Sequence, residues 1–580
     1  MIQSILFLIP ARGGSKGFPG KNLARLGGIP LVGHTARVAR HAASVLGPGC
    51  RVACSTDDPG IAEVARSWGA ETPFLRPAGL ATDEARTIDV VFHALDTLGD
   101  AFDAVVLLQP TSPLAEAEDV LGAVRLHLET GGAPVVSVCA AEHPLEWNYR
   151  MADDGCLKPV FPAGNAHQRQ VADAAYRLNG AVYVASPKML RQEGSFLTGA
   201  TRGFVMPADR SVDVDAPLDI ALSHSILEMR KVPCIEISGR KVGPGNSCFI
   251  IAEAGVNHNG SLDLAIKLVD AAVAVGADAV KFQTFKADRL VTKEAPKAGY
   301  QIRATGDSGT QFEMLKRLEL TEEDHRALIS HCDGCGIRFL STPFEEESAD
   351  FIQTLGIPAF KLPSGEITNL PFLAHVAGKG KPIILSTGMA TLQEVDAAID
   401  AITRAGNKRL VLLQCVSEYP ADPVEANLRA MVSMRIAFGF PVGFSDHTPG
   451  IAVAIAAAAL GACVVEKHFT LDREMPGPDH RASLEPEEFA EMVRGIRIVE
   501  SALGDGDKRP GAGETANAAA ARKSLVAACD IPSGTVLGSE HIAIKRPGTG
   551  IPPGKREFLI GRKMKVAVAA GTLFDWELLD

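Results

Sequence analysis

Between residues 249 and 470, eight β-rich runs recur, each followed by a helical stretch, and this repeat constrains the chain more than any other feature. The runs are FIIAEAGVNHNG (249–260), AVKFQTF (279–285), RFLSTPF (338–344), FKLPSGE (360–366), IILSTGM (383–389), VLLQCVSEYP (411–420), VGFSDHT (442–448) and VVEKHFT (464–470). Eight such units in about 250 residues predict a (β/α)8 TIM barrel. Each run is apolar first and polar at its C-terminal end. Catalytic groups of such barrels sit at the C-terminal face, so the polar ends are expected to converge on one site.

The chemistry of those ends is readable. Lys281, Lys361, Thr342, Ser364 and Ser445 offer cations and hydroxyls to a phosphate and a carboxylate. His447 and His468 end the seventh and eighth runs, so their imidazoles are expected to share one divalent metal, with Asp446 and Glu466 nearby. A single histidine there is more often a buried structural residue, and the weight rests on the pair. Glu253, Glu366 and Asp479 add carboxylates able to move protons or hold sugar hydroxyls. Some of these groups must be structural, because a barrel rim needs polar residues simply to be wet.

Residues 1–230 alternate short β-rich runs (5–10, 52–55, 104–109, 135–138, 181–184) with helical stretches such as 61–68, the pattern of a doubly wound, Rossmann-like α/β sheet. Such sheets bind ligands where strands end. The first run ends in RGGSKGFPGKN (12–22), whose glycines and cations Arg12, Lys16 and Lys21 suggest a phosphate cradle. It is not a Walker A loop: Ser15 replaces the first glycine, Asn22 stands where a magnesium-binding hydroxyl belongs, and Pro19 removes a backbone N–H. So much glycine is costly in a mere turn, which ranks a polyphosphate site above a solvated basic loop. In SVDVDAPLD (211–219), Asp213 and Asp215 alternate with valines, so in an extended chain both carboxylates point to one side. That suits a magnesium–nucleotide site; a solvated strand edge is the alternative.

Two irregular stretches, 231–247 and 504–518, read as linkers and divide the chain into 1–230, 233–505 and 520–580. A formal charge of −11 argues against nucleic acid or an anionic membrane as partner, so anionic ligands must be met by local cationic clusters. Eleven cysteines lie scattered without a framework, pointing to a reducing compartment, and the lone C-x-x-C of Cys332 and Cys335 reads as structural. The apolar start lacks a basic flank and reads as a strand, not a signal peptide. The longest apolar run, 451–465, is too short to span a bilayer, so the expected localisation is cytoplasmic.

The motifs IPARGGSKGFPGKN, STDDPGIAEVA, FLRPAGLATD, LLQPTSPL, RLNGAVY and DVDAPLD, in this order, resemble the acylneuraminate cytidylyltransferases, which make CMP-sialic acids from CTP. The resemblance covers nearly all of 1–230. It implies that Arg12 and Lys21 bind the CTP phosphates with Lys16 and Asn22 beside them, and that Arg76, Thr87 and Gln109 face the nucleotide. Arg169 and Asn179 would lie towards the sugar acid, and Asp213 and Asp215 would hold Mg2+.

The motifs AEAGVNHNGS, KFQTFKAD, STPF, PSGEITNLP, ILSTGMAT, SDHT, EKHFTLD and PGPDHRASLEP resemble the N-acylneuraminate synthase family, which condenses phosphoenolpyruvate with an N-acylated amino sugar and releases phosphate. C3 of phosphoenolpyruvate must attack an aldehyde polarised by a Lewis acid, and water must then add at C2. The resemblance implies a metal, Mn2+ or Mg2+, on His447 and His468, and phosphoenolpyruvate anchored by Lys281, Thr342, Lys361, Ser364 and Ser445. Glu253, Gln283, Glu366, Tyr419 and Asp479 would handle the acceptor sugar and protons. Some members carry Asn where this chain has Ser417, a departure at a phosphoenolpyruvate contact.

The last sixty or so residues are too few to bury a good core unaided, and they resemble the family's small, β-rich antifreeze-like (SAF) domain. Ice binding would need a flat Thr-rich repeat, which is not present. The resemblance implies that Arg546, in the basic loop KRPGTGIPP, reaches the barrel of a partner subunit, hence a homodimer or higher homo-oligomer. The expected protein is a bifunctional enzyme that makes N-acetylneuraminate and couples it to CMP. The alternatives are the same two reactions on a 6-deoxy-2,4-diacetamido sugar, giving CMP-legionaminic acid, or a synthase with a non-catalytic nucleotide-binding regulator.

Overall fold

The computed structural model describes residues 4–99, 102–161, 174–306 and 308–580. They form two compact units, Met1–Ser501 and Ala502–Asp580. The first unit holds a six-stranded sheet and a closed barrel.

The sheet comprises β1 (Ile5–Pro10), β2 (Cys50–Ser55), β3 (Ala104–Leu108), β4 (Val135–Ala140), β5 (Tyr176–Ala185) and β6 (Arg202–Val205), in the order β6-β4-β5-β3-β1-β2. All neighbours are parallel except β5, which runs against both β3 and β4. Both faces are covered, which is why β1 is apolar throughout. Phe7 and Ile9 pack into the cluster that includes Val32 and Ala36 of the helix Leu31–Leu46, while Leu6 and Leu8 pack with Val91 and Leu95 of the helix Thr87–Leu98.

The barrel strands are β7 (Phe249–Gly255), β8 (Ala279–Thr284), β9 (Arg338–Pro343), β10 (Phe360–Leu362), β11 (Ile383–Ser386), β12 (Leu410–Cys415), β13 (Val442–Asp446) and β14 (Val464–His468), closed in sequence order. Period-two alternation sorts their side chains. Phe249, Ile251, Leu340, Ile384, Val411 and Val464 fill the inside, and Ile250, Ala252 and Ala254 face the helices. Glu253 follows on the inward phase of β7, above that apolar plug.

The first presumed linker is more than a tether. Within 231–247, Ile235–Ile237 and Arg240–Val242 pair as a hairpin whose two-residue turn, Ser238-Gly239, has both φ angles positive (48° and 76°). Ile235, Ile237 and Val242 are buried in the same cluster as the inward residues of the strands, so the hairpin closes the barrel floor. The helix Leu31–Leu46 also docks on the barrel's outer helices. Arg40 pairs with Asp396 at 2.5 Å, and Arg37 Nη1 donates to the Ala437 carbonyl at 2.8 Å.

The second unit contains the helix Ala512–Ala521, which begins within the stretch read as irregular and runs past its end, and the antiparallel pair β15 (Ser524–Ala527) and β16 (Ile542–Lys545). Contrary to expectation it has its own core, with Leu525, Ile531, Leu537, Leu559, Met564 and Phe574 buried. Leu525 comes from β15 and Leu559 from the short helix Arg556–Leu559, and the loops that bridge back to one another and to the pair supply the rest. Among the described residues no helix is long and apolar enough to cross a membrane.

Candidate active site

Parallel register brings the strand ends together. Glu253 lies opposite Lys281 on one side and His468 on the other; Gln283 lies opposite Thr342, and Ser445 opposite Glu466. Lys281 Nζ is 2.6 Å from Glu253 Oε2 and donates to Thr342 Oγ1 at 2.9 Å. Glu466 completes the group, 3.2 Å from Lys361 Nζ and 3.9 Å from Lys281 Nζ, and it accepts from Ser445 Oγ at 3.0 Å. All six are 4 % exposed or less, so two lysines and two glutamates sit out of water as a mutually paired quartet. Burial would raise Glu466, but Lys281 and Lys361 outweigh it and hold the group down. Burial pushes Glu253 up despite Lys281, and pushes Lys361 down.

Beside this quartet the backbone N–H of Gly388 donates to Ser364 Oγ at 3.0 Å. A Cβ at Gly388 would stand 2.4 Å from Ser417 Oγ and 2.8 Å from Ser364 Oγ, so only glycine fits there. Ser417 Oγ is buried without a hydrogen-bond partner. A buried hydroxyl with a donor to spare, beside Ser364 and the Gly388 backbone, is what an anion cradle presents.

The imidazoles of His447 and His468 stand 5.2 Å apart, with the Tyr419 ring 4.2 Å from His447 and 5.5 Å from His468. His447 Nδ1 meets the Val416 carbonyl at 2.6 Å, which fixes its tautomer and leaves Nε2 as the free lone pair. Burial, reinforced by His447, keeps His468 neutral, and its Nδ1 is unpartnered. Burial would lower His447, but Cys415 and the Val416 carbonyl outweigh it and raise the group, so the pair must shed that proton to take a metal. Two imidazoles at this separation then fit one divalent ion, whose other positions would fall to water or substrate. Asp479, Gln283 and Glu253 converge on Gly255, whose hypothetical Cβ lies 3.2–3.7 Å from all three. Burial pushes Asp479 up to about 6. Glu366 accepts from Asn369 Nδ2 at 2.7 Å.

At the sheet the loop cations are likewise matched to acids. Arg12 and Lys16 both pair with Asp83, at 2.7 and 2.8 Å, and Lys21 pairs with Asp215 at 2.9 Å. Asn22 Nδ2 donates to the Arg12 carbonyl at 2.8 Å, pinning the loop. Val214 is buried and its N–H donates to the Thr111 carbonyl at 2.7 Å, so Asp213 and Asp215 flank one anchored residue. Burial raises Asp213, helped by the like charge of Asp215, a pairing that a hard divalent cation would relieve. Thr87 starts its helix exposed, and Gln109 is half-buried at the end of β3.

Two residues expected at the ligand are instead turned into the fold. Arg76 is 6 % exposed, with its guanidinium on Ser55 and the Leu80 carbonyl. Asn179 is 1 % exposed and binds Ser137 Oγ at 2.6 Å and Ser211 Oγ at 2.9 Å, anchoring the segment that carries Asp213. Arg169 lies outside the described residues, and Arg546 belongs to the second unit. Sequence reading gave Glu466 and Asp446 only as neighbours. Glu466 is the hub of the quartet, whereas Asp446 is fully buried against Lys467 at 2.7 Å. Asp83, Cys415 (Sγ 3.8 Å from His447 Nδ1) and Tyr300 (ring 4.8 Å from Tyr419) were missed, because no spacing marks them.

A barrel with paired imidazoles over a lysine–glutamate floor, joined to a sheet with a cationic glycine loop, gives the chain two separate candidate sites suited to anionic ligands. The family comparisons agree. The NeuB family model matches residues 268–508, the cytidylyltransferase model 6–146 and the SAF domain model 522–580. N,N'-diacetyllegionaminic acid synthase of Legionella pneumophila is 50% identical over 342 residues, covering 58% of this chain and 96% of that protein. The Campylobacter jejuni protein of the same name is 50% identical over 316 residues, covering 54% and 95%. A solved N-acetylneuraminic acid synthetase from Leptospira borgpetersenii is 31% identical and covers 50% of this chain and 96% of that one, with a TM-score of 0.44. The chain belongs to the NeuB family, and it carries a cytidylyltransferase domain before the barrel and an SAF domain after it.

Proposed function

We propose that the barrel condenses phosphoenolpyruvate with an N-acylated amino sugar, releasing phosphate, and that the sheet domain joins the resulting nine-carbon acid to CMP, releasing diphosphate. The observation that carries this reading is the buried quartet of Glu253, Lys281, Lys361 and Glu466 beneath His447 and His468. Lys281 and Lys361 supply fixed positive charge to the phosphate and carboxylate of phosphoenolpyruvate, with Ser364, Ser417 and Thr342 donating hydroxyls and Ser445 turning its hydroxyl from Glu466 to the ligand. Glu466, held ionised by both lysines, keeps them protonated and in place. Asp479 and Glu253, both raised by burial, are the groups able to hold or pass a proton near neutral pH. A divalent ion, Mn2+ or Mg2+, would supply Lewis acidity at His447 and His468.

In the sheet domain, Arg12, Lys16 and Lys21 would exchange Asp83 and Asp215 for the triphosphate of CTP, freeing Asp215 to join Asp213 around Mg2+. For the acceptor, the 6-deoxy-2,4-diacetamido sugar is favoured over N-acetylmannosamine, because both relatives at 50% identity are named as legionaminic acid synthases. Arg546 is proposed to serve the barrel of a second subunit. The deciding experiment supplies CTP, phosphoenolpyruvate, Mg2+ and Mn2+ with a panel of 2-acylamino sugars. The diacetamido sugar should give the fastest phosphate release and a CMP-linked product. Preference for N-acetylmannosamine would return the acceptor to the neuraminate type.

A further inference from the structure

One cluster of metal-binding side chains lies outside both sites. His331 and Cys335 stand one turn apart on the helix Glu322–Cys335 and face Asp270 of the neighbouring helix Leu262–Ala274. His331 Nε2 is 2.6 Å from Asp270 Oδ1 and 3.6 Å from Cys335 Sγ, and Cys335 Sγ is 3.9 Å from Asp270 Oδ1. Among the described residues, this is the group of three such donors lying within 4.8 Å of one another.

We propose that Asp270, His331 and Cys335 hold a borderline-soft divalent cation of the Zn2+ class, distinct from the ions of the two active sites. With metal–ligand bonds of about 2.0–2.3 Å, tetrahedral geometry sets donor–donor edges of about 3.3–3.6 Å. The two sulfur distances already meet that edge nearly; the Asp270–His331 contact must open by well under 1 Å, exchanging a hydrogen bond for two metal bonds. Water completes the fourth position. The thiolate selects against Mg2+, and the mixed nitrogen, oxygen and sulfur set suits zinc. Asp270 and Cys335 lie in the last two turns of their helices, so both macrodipoles present their negative ends to the cation. Cys332, the other half of the C-x-x-C, is fully buried in the core and takes no part. The strands β8 and β9 begin just after these helix ends, which places the ion at the barrel's floor side as a clamp between adjacent helices, away from the reacting groups.

Co2+ titrated into the full-length protein reads this directly, because a thiolate ligand gives cobalt an intense near-ultraviolet charge-transfer band. One equivalent should produce the band in the wild type and in the His447→Ala/His468→Ala protein, which removes the site near Cys415. In the His447→Ala/His468→Ala background Cys335→Ser should abolish it and His331→Ala should weaken Co2+ binding at least tenfold, and in the otherwise wild-type chain both substitutions should leave synthase activity unchanged. Absence of the band in the wild type, or its survival when Cys335→Ser is added in that background, would overturn the site.

Discussion

At the residue scale, the buried charges decide most of what this chain can do. Glu466 holds two lysines that have no water to fall back on, so Glu466→Gln should destabilise the first unit by roughly 3 kcal/mol and lower kcat/KM for phosphoenolpyruvate by at least a hundredfold. A denaturation midpoint equal to wild type would show that the lysines are satisfied without it. His258 offers a pH test outside the quartet and the histidine pair. It is fully buried, its Nδ1 accepts the Gly260 N–H at 3.0 Å, and burial first, then His325, lowers it from 6.5 to about 4. A depressed folded value means the unfolded chain binds the extra proton. Its stabilising contribution is therefore complete above about pH 6.5 and is lost as pH falls towards 4, a loss of roughly 3 kcal/mol. Urea midpoints measured from pH 7 to 4 should fall less steeply in His258→Gln than in the wild type; parallel curves would remove His258 from the account.

At the element scale, the hairpin closing the barrel carries the sharpest prediction. Ile237 is fully buried among inward strand residues, so Ile237→Ala should cost about 2–4 kcal/mol through the cavity it leaves. A loss below about 0.5 kcal/mol would restore the segment to a linker. The contrast with the barrel shows what was legible. Eight apolar runs with polar C-terminal ends announced the barrel, since period and count are properties of the sequence itself. The hairpin offered only Ile-Glu-Ile between Pro233 and Gly239, too short an alternation to stand out. The direction of β5 was hidden for a similar reason, because apolar runs buried on both faces read alike in either direction. In the site, residues at strand ends were visible, but Glu466 became central through register between strands distant in sequence. Arg76 and Asn179 carried the right polarity for ligands, and only packing shows them spent on Ser55, Ser137 and Ser211.

At the scale of the whole molecule, the sheet and barrel share one compact unit, yet their candidate sites use separate residues. If Arg546 serves a second subunit, mixing His447→Ala and Arg546→Ala proteins after dissociation and reassociation should return about a quarter of wild-type synthase activity, since half the dimers are mixed and each regains one site of two. No recovery despite confirmed exchange would place Arg546 with its own subunit. The central claim is that one chain carries two independent catalytic sites, and a single measurement on three preparations tests it. Phosphate release from phosphoenolpyruvate and diphosphate release from CTP plus the finished sugar acid are followed in wild type, His447→Ala/His468→Ala and Asp213→Ala/Asp215→Ala. The account predicts that the histidine variant loses the first activity by orders of magnitude and keeps the second, and that the aspartate variant does the reverse. Loss of both activities in either folded variant, or no diphosphate release from the wild type, would contradict it.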